Sequence, residues 1–91
     1  KIVYIHDDLK DILEPTYGII VYQEQIMQIA GKFAGFSLGK ADILRRAMGK
    51  KKVSLMTKLE KEFVEGAIEK GYDNDLAIKI YQLIYQFQMN I

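Results

Sequence analysis

The chain of 91 residues contains no cysteine, which excludes a disulfide framework and a cysteine-ligated zinc site. Histidine is close to absent too. The one copy, His6, stands beside Asp7 and Asp8, where it reads as a residue at the start of a helix rather than as a metal ligand. Long apolar runs are missing: none approaches the roughly 20 residues that a membrane-spanning helix needs, and no signal peptide opens the chain. With no cysteine and no membrane segment, a reducing, intracellular and cytoplasmic setting is the natural expectation. The first residue is Lys1 rather than Met, as expected of a piece of a longer chain. Proline occurs once, at Pro15, and strand-like sequence is confined to residues 2–5 and to the β-branched run at 19–21.

What is present is apolar sequence at helical spacing, punctuated by glycine. With 49% hydrophobic residues, the chain can bury the core of one small domain, residues 1–91, though a thin one. Asp7 or Asp8 is expected to cap a short helix that Pro15 ends, since the residue before a proline is pushed out of the α region. A second helix is predicted over residues 22–34, with Tyr22, Ile26, Ile29, Ala30 and Phe33 on one face. Gly35 sits where a left-handed stop is wanted, and Phe36 can fold back on the last turn. Ser37 then offers an N-cap for a third helix, with Leu38, Ala41, Leu44 and Met48 as its buried stripe and Gly49 as its end.

A fourth helix should begin near Val53 or Ser54 and place Met56, Leu59, Phe63 and Ala67 on one face. Lys70 and Gly71 are its stop signal. Asp73 or Asn74 caps a fifth, whose Leu76, Ile80, Leu83, Ile84 and Phe87 form a broad apolar face. The expected fold is therefore all-α, a small bundle of roughly four to five helices with short glycine-marked connections.

Charge is also nearly absent in sum. The net charge is +1, which excludes binding by bulk positive charge. Its distribution is another matter. Residues 40–52 hold Lys40, Arg45, Arg46, Lys50, Lys51 and Lys52 against Asp42 alone, and those two arginines are the only ones in the chain.

With Leu44 facing the core, Arg45 points about 100° away and Arg46 about 200° away. Arg46 then shares the outer face with Asp42 and Lys50, and Asp42 is placed to pair with it at i, i+4. Adjacent arginines followed by a glycine and three lysines suit phosphate, because Arg offers a fork of donors and Lys a mobile point charge. The plain alternative is a set of cations placed against a helix C-terminus, worth a few tenths of a kcal/mol each.

Other chemistry finds less support. Asp7 and Asp8 belong to the short helix and not to a metal pair, so no metal ligands are assigned. Glu60, Glu62, Glu65 and Glu69 form a solvated helix face with Lys58 and Lys61, and Tyr81 and Tyr85 a core rim. No glycine-rich phosphate loop of the Walker or dinucleotide type occurs. The sole histidine has no serine or cysteine partner in view for nucleophilic catalysis.

Three motifs in order, Thr-Tyr-Gly at 16–18, Tyr-Gln-Glu-Gln-x-Met at 22–27 and Leu-Arg-Arg-Ala-Met-Gly-Lys-Lys-Lys at 44–52, carry a specific resemblance. The segment from Glu14 to Lys52 resembles the C-family replicative DNA polymerases of bacteria, the polymerase III α subunits. The resemblance continues through FVEGAIEKGY at 63–72 and AIKIYQLIYQF at 77–87, so that it covers roughly four-fifths of the chain.

That resemblance implies a fragment from the palm-to-fingers junction and the fingers of a DNA-directed DNA polymerase. It implies that Arg45, Arg46 and Lys50 approach the triphosphate of the incoming dNTP, and that Lys51 and Lys52 lie near the DNA primer–template. Tyr22, Gln23 and Gln25 would start a helix at the wall of the active-site cleft. The other replicase subunits would be partners, and magnesium the cofactor of the full polymerase. The three aspartates that hold its two metal ions belong to the family's palm, upstream, and this chain has no equivalent of their motif. After Phe87 the family usually continues with Ala and a Tyr-Gly-Phe-Asn stretch, where this chain reads Gln88-Met89-Asn90-Ile91. Alone, the fragment is therefore expected to be inactive. Two further readings stay open: a free-standing helical module that binds nucleic acid through residues 40–52, and a protein-interaction module that docks through the apolar face of the last helix.

Overall fold

Helices form where apolar residues recur at helical spacing, and their ends fall at the residues suited to end them. A computed structural model describes residues 6–89, with side chains described for residues 6–86. A short helix α1 (Lys10–Leu13), with 3-10 turns at Asp7–Leu9 and Glu14–Thr16 on either side, is followed by four longer ones. These are α2 (Gln23–Ala34), α3 (Leu38–Lys50), α4 (Val53–Glu69) and α5 (Asn74–Met89). No strand occurs among the described residues. The expected all-α class is the one observed.

The connections do most to set the topology. Gly35 takes φ 69°, a left-handed value that glycine adopts without a Cβ penalty. The Phe36 amide then donates to the Ala30 carbonyl at 3.2 Å, folding the Phe36 ring into the core. The Ser37 hydroxyl accepts from the Lys40 amide at 3.2 Å, so α3 starts at once and runs back along α2. Helix α4 packs across α2 and α5. The core between them is built from Ile26, Ile29 and Phe33 of α2, Leu44 and Met48 of α3, Met56, Leu59 and Phe63 of α4, and Ile80, Tyr81 and Ile84 of α5. The Tyr81 hydroxyl reaches the Met56 carbonyl at 2.6 Å, and burial pushes the phenol well above its ordinary pKa.

Several expectations are corrected. Residues 19–21 are not a buried strand but irregular chain, with Ile20 turned inward and Ile19 and Val21 exposed. High β-propensity decides little where no second strand offers a ladder. Leu38 is 79% exposed rather than part of the α3 stripe, which is made by Ala41, Leu44, Ala47 and Met48. At the first position of the helix it has no neighbouring turn to cover it. Gly49 does not end α3, which continues through Lys50 and turns at Lys51 with φ 56°. The helical run that leads into α1 is capped by neither aspartate: His6 is the N-cap of its opening 3-10 turn, Nδ1 accepting from the Asp8 amide at 3.1 Å. Pro15 does not break the chain out of helical geometry but sits inside the 3-10 turn, and the exit comes at Tyr17. The expected strand at 2–5 and the Phe87 side chain lie outside the described residues.

Helices α2 and α4 approach closely at Gly66. A Cβ there would lie 2.2 Å from the Ala34 carbonyl oxygen, and a backbone oxygen cannot swing aside as a side chain can. Gly66→Ala should therefore destabilise, the overpacking cost of about 1–3 kcal/mol outweighing the roughly 1 kcal/mol gained in helix propensity. Thermal melts of the two chains check this. A midpoint equal to or above that of the parent would show that the helices are not so close.

Candidate functional site

The antiparallel return of α3 along α2 brings the C-terminal half of α3 beside the N-terminus of α2. Two stretches thus meet at one corner of the molecule, joined by residues that are 22 apart in sequence. Arg45 Nη1 donates to Gln23 Oε1 at 3.3 Å. The Gln23 side chain also lies over Gly49, its Nε2 being 3.5 Å from where a Cβ at Gly49 would stand.

Asp42 organises the arginines. Its Oδ1 accepts from Arg45 Nε at 3.0 Å and from Arg45 Nη2 at 2.6 Å, while its Oδ2 lies 2.9 Å from Arg46 Nε. The i, i+4 pair with Arg46 is the one the spacing predicts; the i, i+3 pair with Arg45 is additional. The Arg45 hydrogen bond, helped by the charge of both guanidiniums, holds the Asp42 carboxyl below the ordinary carboxylate range against the opposing effect of desolvation. The two arginines are left unequal. Arg45 has a side chain 31% exposed, with each of its three nitrogens donating to Asp42 or Gln23. Arg46 is 66% exposed, and among the described residues its two terminal nitrogens have no hydrogen-bond acceptor.

Arg46 lines a groove of about 160 Å³ together with Ile43, Ala47, Lys50, Lys52 and Leu55. The lysines are placed by the backbone and not by a floppy linker. The Lys51 amide donates to the Met48 carbonyl at 3.3 Å and the Lys52 amide to the Ala47 carbonyl at 3.2 Å, which is the paired closure of a helix ending in a left-handed residue. Lys52 is at once the N-cap of α4, and its side chain makes no capping hydrogen bond. The first turn of α4 has no acid, and neither does that of α3. Lys50, Lys52, the free edge of Arg46 and an uncapped helix N-terminus thus converge where α3 passes into α4, with Lys51 exposed at the turn between them, an arrangement that attracts anions.

On the other side of the corner, Tyr22 is the exposed N-cap of α2, without a side-chain capping bond. Gln25 is 4% exposed and faces inward. Its Oε1 accepts from the Val21 and Tyr22 amides at 2.7 and 2.9 Å, and its Nε2 donates to the Ile12 carbonyl and to Thr16 Oγ1 at 3.3 and 2.8 Å. Thr16 passes its own proton to the Ile19 carbonyl at 2.6 Å. Gln25 and Thr16 therefore fix the loop at 17–22 from beneath, leaving Tyr17, Ile19, Val21 and Tyr22 exposed. The Tyr-Gln-Glu-Gln box is there in part to build this loop: a glutamine at the third helical position, reaching back to the N-cap amide, is half of a capping box.

Thr16 stood in the Thr-Tyr-Gly motif, but the sequence pattern pointed neither to its part in holding this loop nor to the double pairing of Asp42. The capping-box spacing from Tyr22 to Gln25 was the available signal for the loop. Among the described residues no three His, Asp or Glu side chains gather so as to hold a metal ion. No helix among the described residues is long and apolar enough to cross a membrane.

Residues 1–71 match the family described as the bacterial DNA polymerase III alpha subunit finger domain. The chain is 59% identical over 87 residues to the DNA polymerase III subunit alpha of Borreliella burgdorferi, which covers 96% of this chain and 8% of that protein. It is 61% identical over 84 residues to the subunit of Pasteurella multocida, covering 92% of this chain and 7% of the relative. Against the subunit of Bacillus subtilis the figures are 56% over 84 residues, 92% and 8%. The chain thus spans less than a tenth of the length of the curated relatives it matches.

Proposed function

This chain belongs to the bacterial DNA polymerase III alpha subunit finger domain family, and we infer from that membership that it forms one wall of the active site of a DNA-directed DNA polymerase working in DNA replication. In this reading residues 1–91 are one unit of the fingers. Arg46 and Lys50, with Arg45 behind them, meet the triphosphate of the incoming dNTP, and Lys51 and Lys52 contact the phosphates of the primer–template. Tyr22 and Gln23 face the cleft, with Gln25 supporting them from inside. The observation that carries the reading is the convergence of Arg46, Lys50 and Lys52 on one groove beside the uncapped start of α4.

The chemistry asked of such a wall is modest. Nucleotidyl transfer is mostly positioning and charge stabilisation, and a guanidinium held on a helix supplies both, since its fork matches two phosphate oxygens at once. Lysines add charge without fixing a direction. Magnesium would supply the attacking oxygen's activation and the charge neutralisation between the phosphates, held by carboxylates that belong to other parts of the parent chain. The parent works with DNA, dNTPs and the other replicase subunits.

This reading gives a clear expectation for the isolated chain. Supplied with magnesium, primer–template and all four dNTPs, it should add no nucleotide, because two-metal chemistry needs carboxylates within a few ångströms on each side of the reacting phosphate. Gel-resolved primer extension with the pure chain is the measurement, and reproducible extension would overturn the assignment as a wall without its metal-binding floor.

A further inference from the structure

We propose that Asp42 is a positioning residue of this site: it holds the Arg46 guanidinium by its Nε edge so that both terminal nitrogens stand toward an incoming triphosphate, while Arg45 holds Asp42 in place. The proposal rests on the reading of Arg46 as a triphosphate contact. Its geometric basis is the division of one carboxylate between two arginines. Oδ1 is taken by Nε and Nη2 of Arg45, which fixes the carboxylate plane. Oδ2 is left to form an ion pair with Arg46, 2.9 Å from its Nε, through charge rather than an aligned hydrogen bond. Arg45 in turn is anchored through Nη1 to Gln23 at the first position of α2, so the chain Gln23, Arg45, Asp42, Arg46 runs from one helix to the outward fork.

An acid in the middle of a basic patch is otherwise hard to account for. A carboxylate beside a phosphate site opposes anion binding by simple Coulomb repulsion, so for affinity alone its absence would serve better. Its benefit is orientation. An arginine side chain has considerable rotamer freedom to lose, and the ion pair with Asp42 restricts part of it before the nucleotide arrives. Donors already aimed at the place where charge develops favour the transition state, because they need no reorganisation at the moment of reaction. Asp42 thus weakens ground-state attraction slightly and strengthens transition-state contact. That trade has a kinetic signature which a purely structural acid does not share.

The experiment is steady-state nucleotide incorporation by the full-length polymerase that contains this chain, carried as wild type, Asp42→Asn, Asp42→Glu, Arg46→Ala and the double variant Asp42→Asn with Arg46→Ala. Asparagine keeps the shape and removes the charge that faces Arg46 Nε. In the wild-type background Asp42→Asn should lower kcat roughly tenfold, the scale on which outer partners of functional groups matter, with the KM for nucleotide unchanged or lower. Glutamate, one methylene longer but still an acid at the same helix position, should restore kcat to within about threefold. In the Arg46→Ala background Asp42→Asn should cost less than about threefold, since residues that act through each other are not additive. Independent, multiplying effects of the two substitutions, or an Asp42→Asn kcat equal to wild type, would overturn the positioning role while a slow Arg46→Ala enzyme left the triphosphate reading standing. If Arg46→Ala itself turned over at the wild-type rate, the underlying reading would fall and this inference with it.

Discussion

Truncating Phe63 to alanine should remove about 3–5 kcal/mol of stability. Phe63 is fully buried in α4 and meets the Phe36 ring edge-on at a centroid distance of 6.0 Å and the Tyr81 ring at 5.4 Å. These neighbours come from the turn after α2 and from α5, so a cavity at this point is lined by two elements that are each fixed elsewhere. Phe36 is held by its amide on Ala30, and Tyr81 by its hydroxyl on Met56. Neither can slide in to fill the space, which puts the cost toward the upper part of the range for such truncations. A domain of this size has of order 5–14 kcal/mol in total, so from roughly a fifth to nearly all of it would go. The thermal midpoint should fall by more than about 12 °C, at roughly 4–8 °C per kcal/mol. Phe63→Leu, which keeps most of the volume, should cost less than half as much. A midpoint unmoved by Phe63→Ala would mean that the wrong face of α4 has been placed in the core.

The helices were legible because their buried faces are built from large apolar residues at regular spacing, and Phe63 is an example. Met56, Leu59, Phe63 and Ala67 are all buried, as the spacing requires. The misread places share a physical feature: a local signal was overruled by something distant or by a missing neighbour. Ile19, Ile20 and Val21 have the composition of a strand, but Thr16 and Gln25 claim the backbone groups of Ile19 and Val21 that a ladder would have used. Gly49 looks like a helix stop, yet Gln23 lies beside it at a distance a Cβ would tolerate, and the left-handed turn falls to Lys51 instead. A lysine in that conformation costs on the order of 1 kcal/mol, accepted here where the backbone also starts α4.

At the site, the i, i+4 relation of Asp42 and Arg46 could be read from spacing. The i, i+3 hold of Asp42 on Arg45, and the reach of Arg45 to Gln23, could not, because they depend on how α3 lies along α2. The basic cluster was visible in the sequence; the inequality of its two arginines became visible only once α2 was beside them.

That inequality sets the last expectation, for the full-length polymerase. Arg46→Ala should lower kcat/KM for nucleotide by roughly 10²-fold or more, the scale for losing one preorganised charged donor. Arg46 is carried on α3 and paired with Asp42 on its Nε side, so its fork is available and biased toward one direction. Lys51 should behave differently. Its backbone is ordered, at φ 56° with its amide on Met48, but its side chain is exposed at the turn. An exposed ammonium on a flexible stem gives charge without direction, which suits contact with a duplex phosphate rather than with a reacting one. Lys51→Gly is the informative substitution, because glycine relieves the left-handed backbone while deleting the charge. It should weaken DNA binding and reduce the salt dependence of the affinity by about one unit of slope, and the KM for nucleotide should not change. A nucleotide titration and a salt titration on both variants separate the two roles. Should Lys51→Gly raise the KM for nucleotide while Arg46→Ala only loosened DNA, the two ends of this basic run would have been assigned in reverse, with the triphosphate at the α3–α4 turn and the duplex along the outer face of α3.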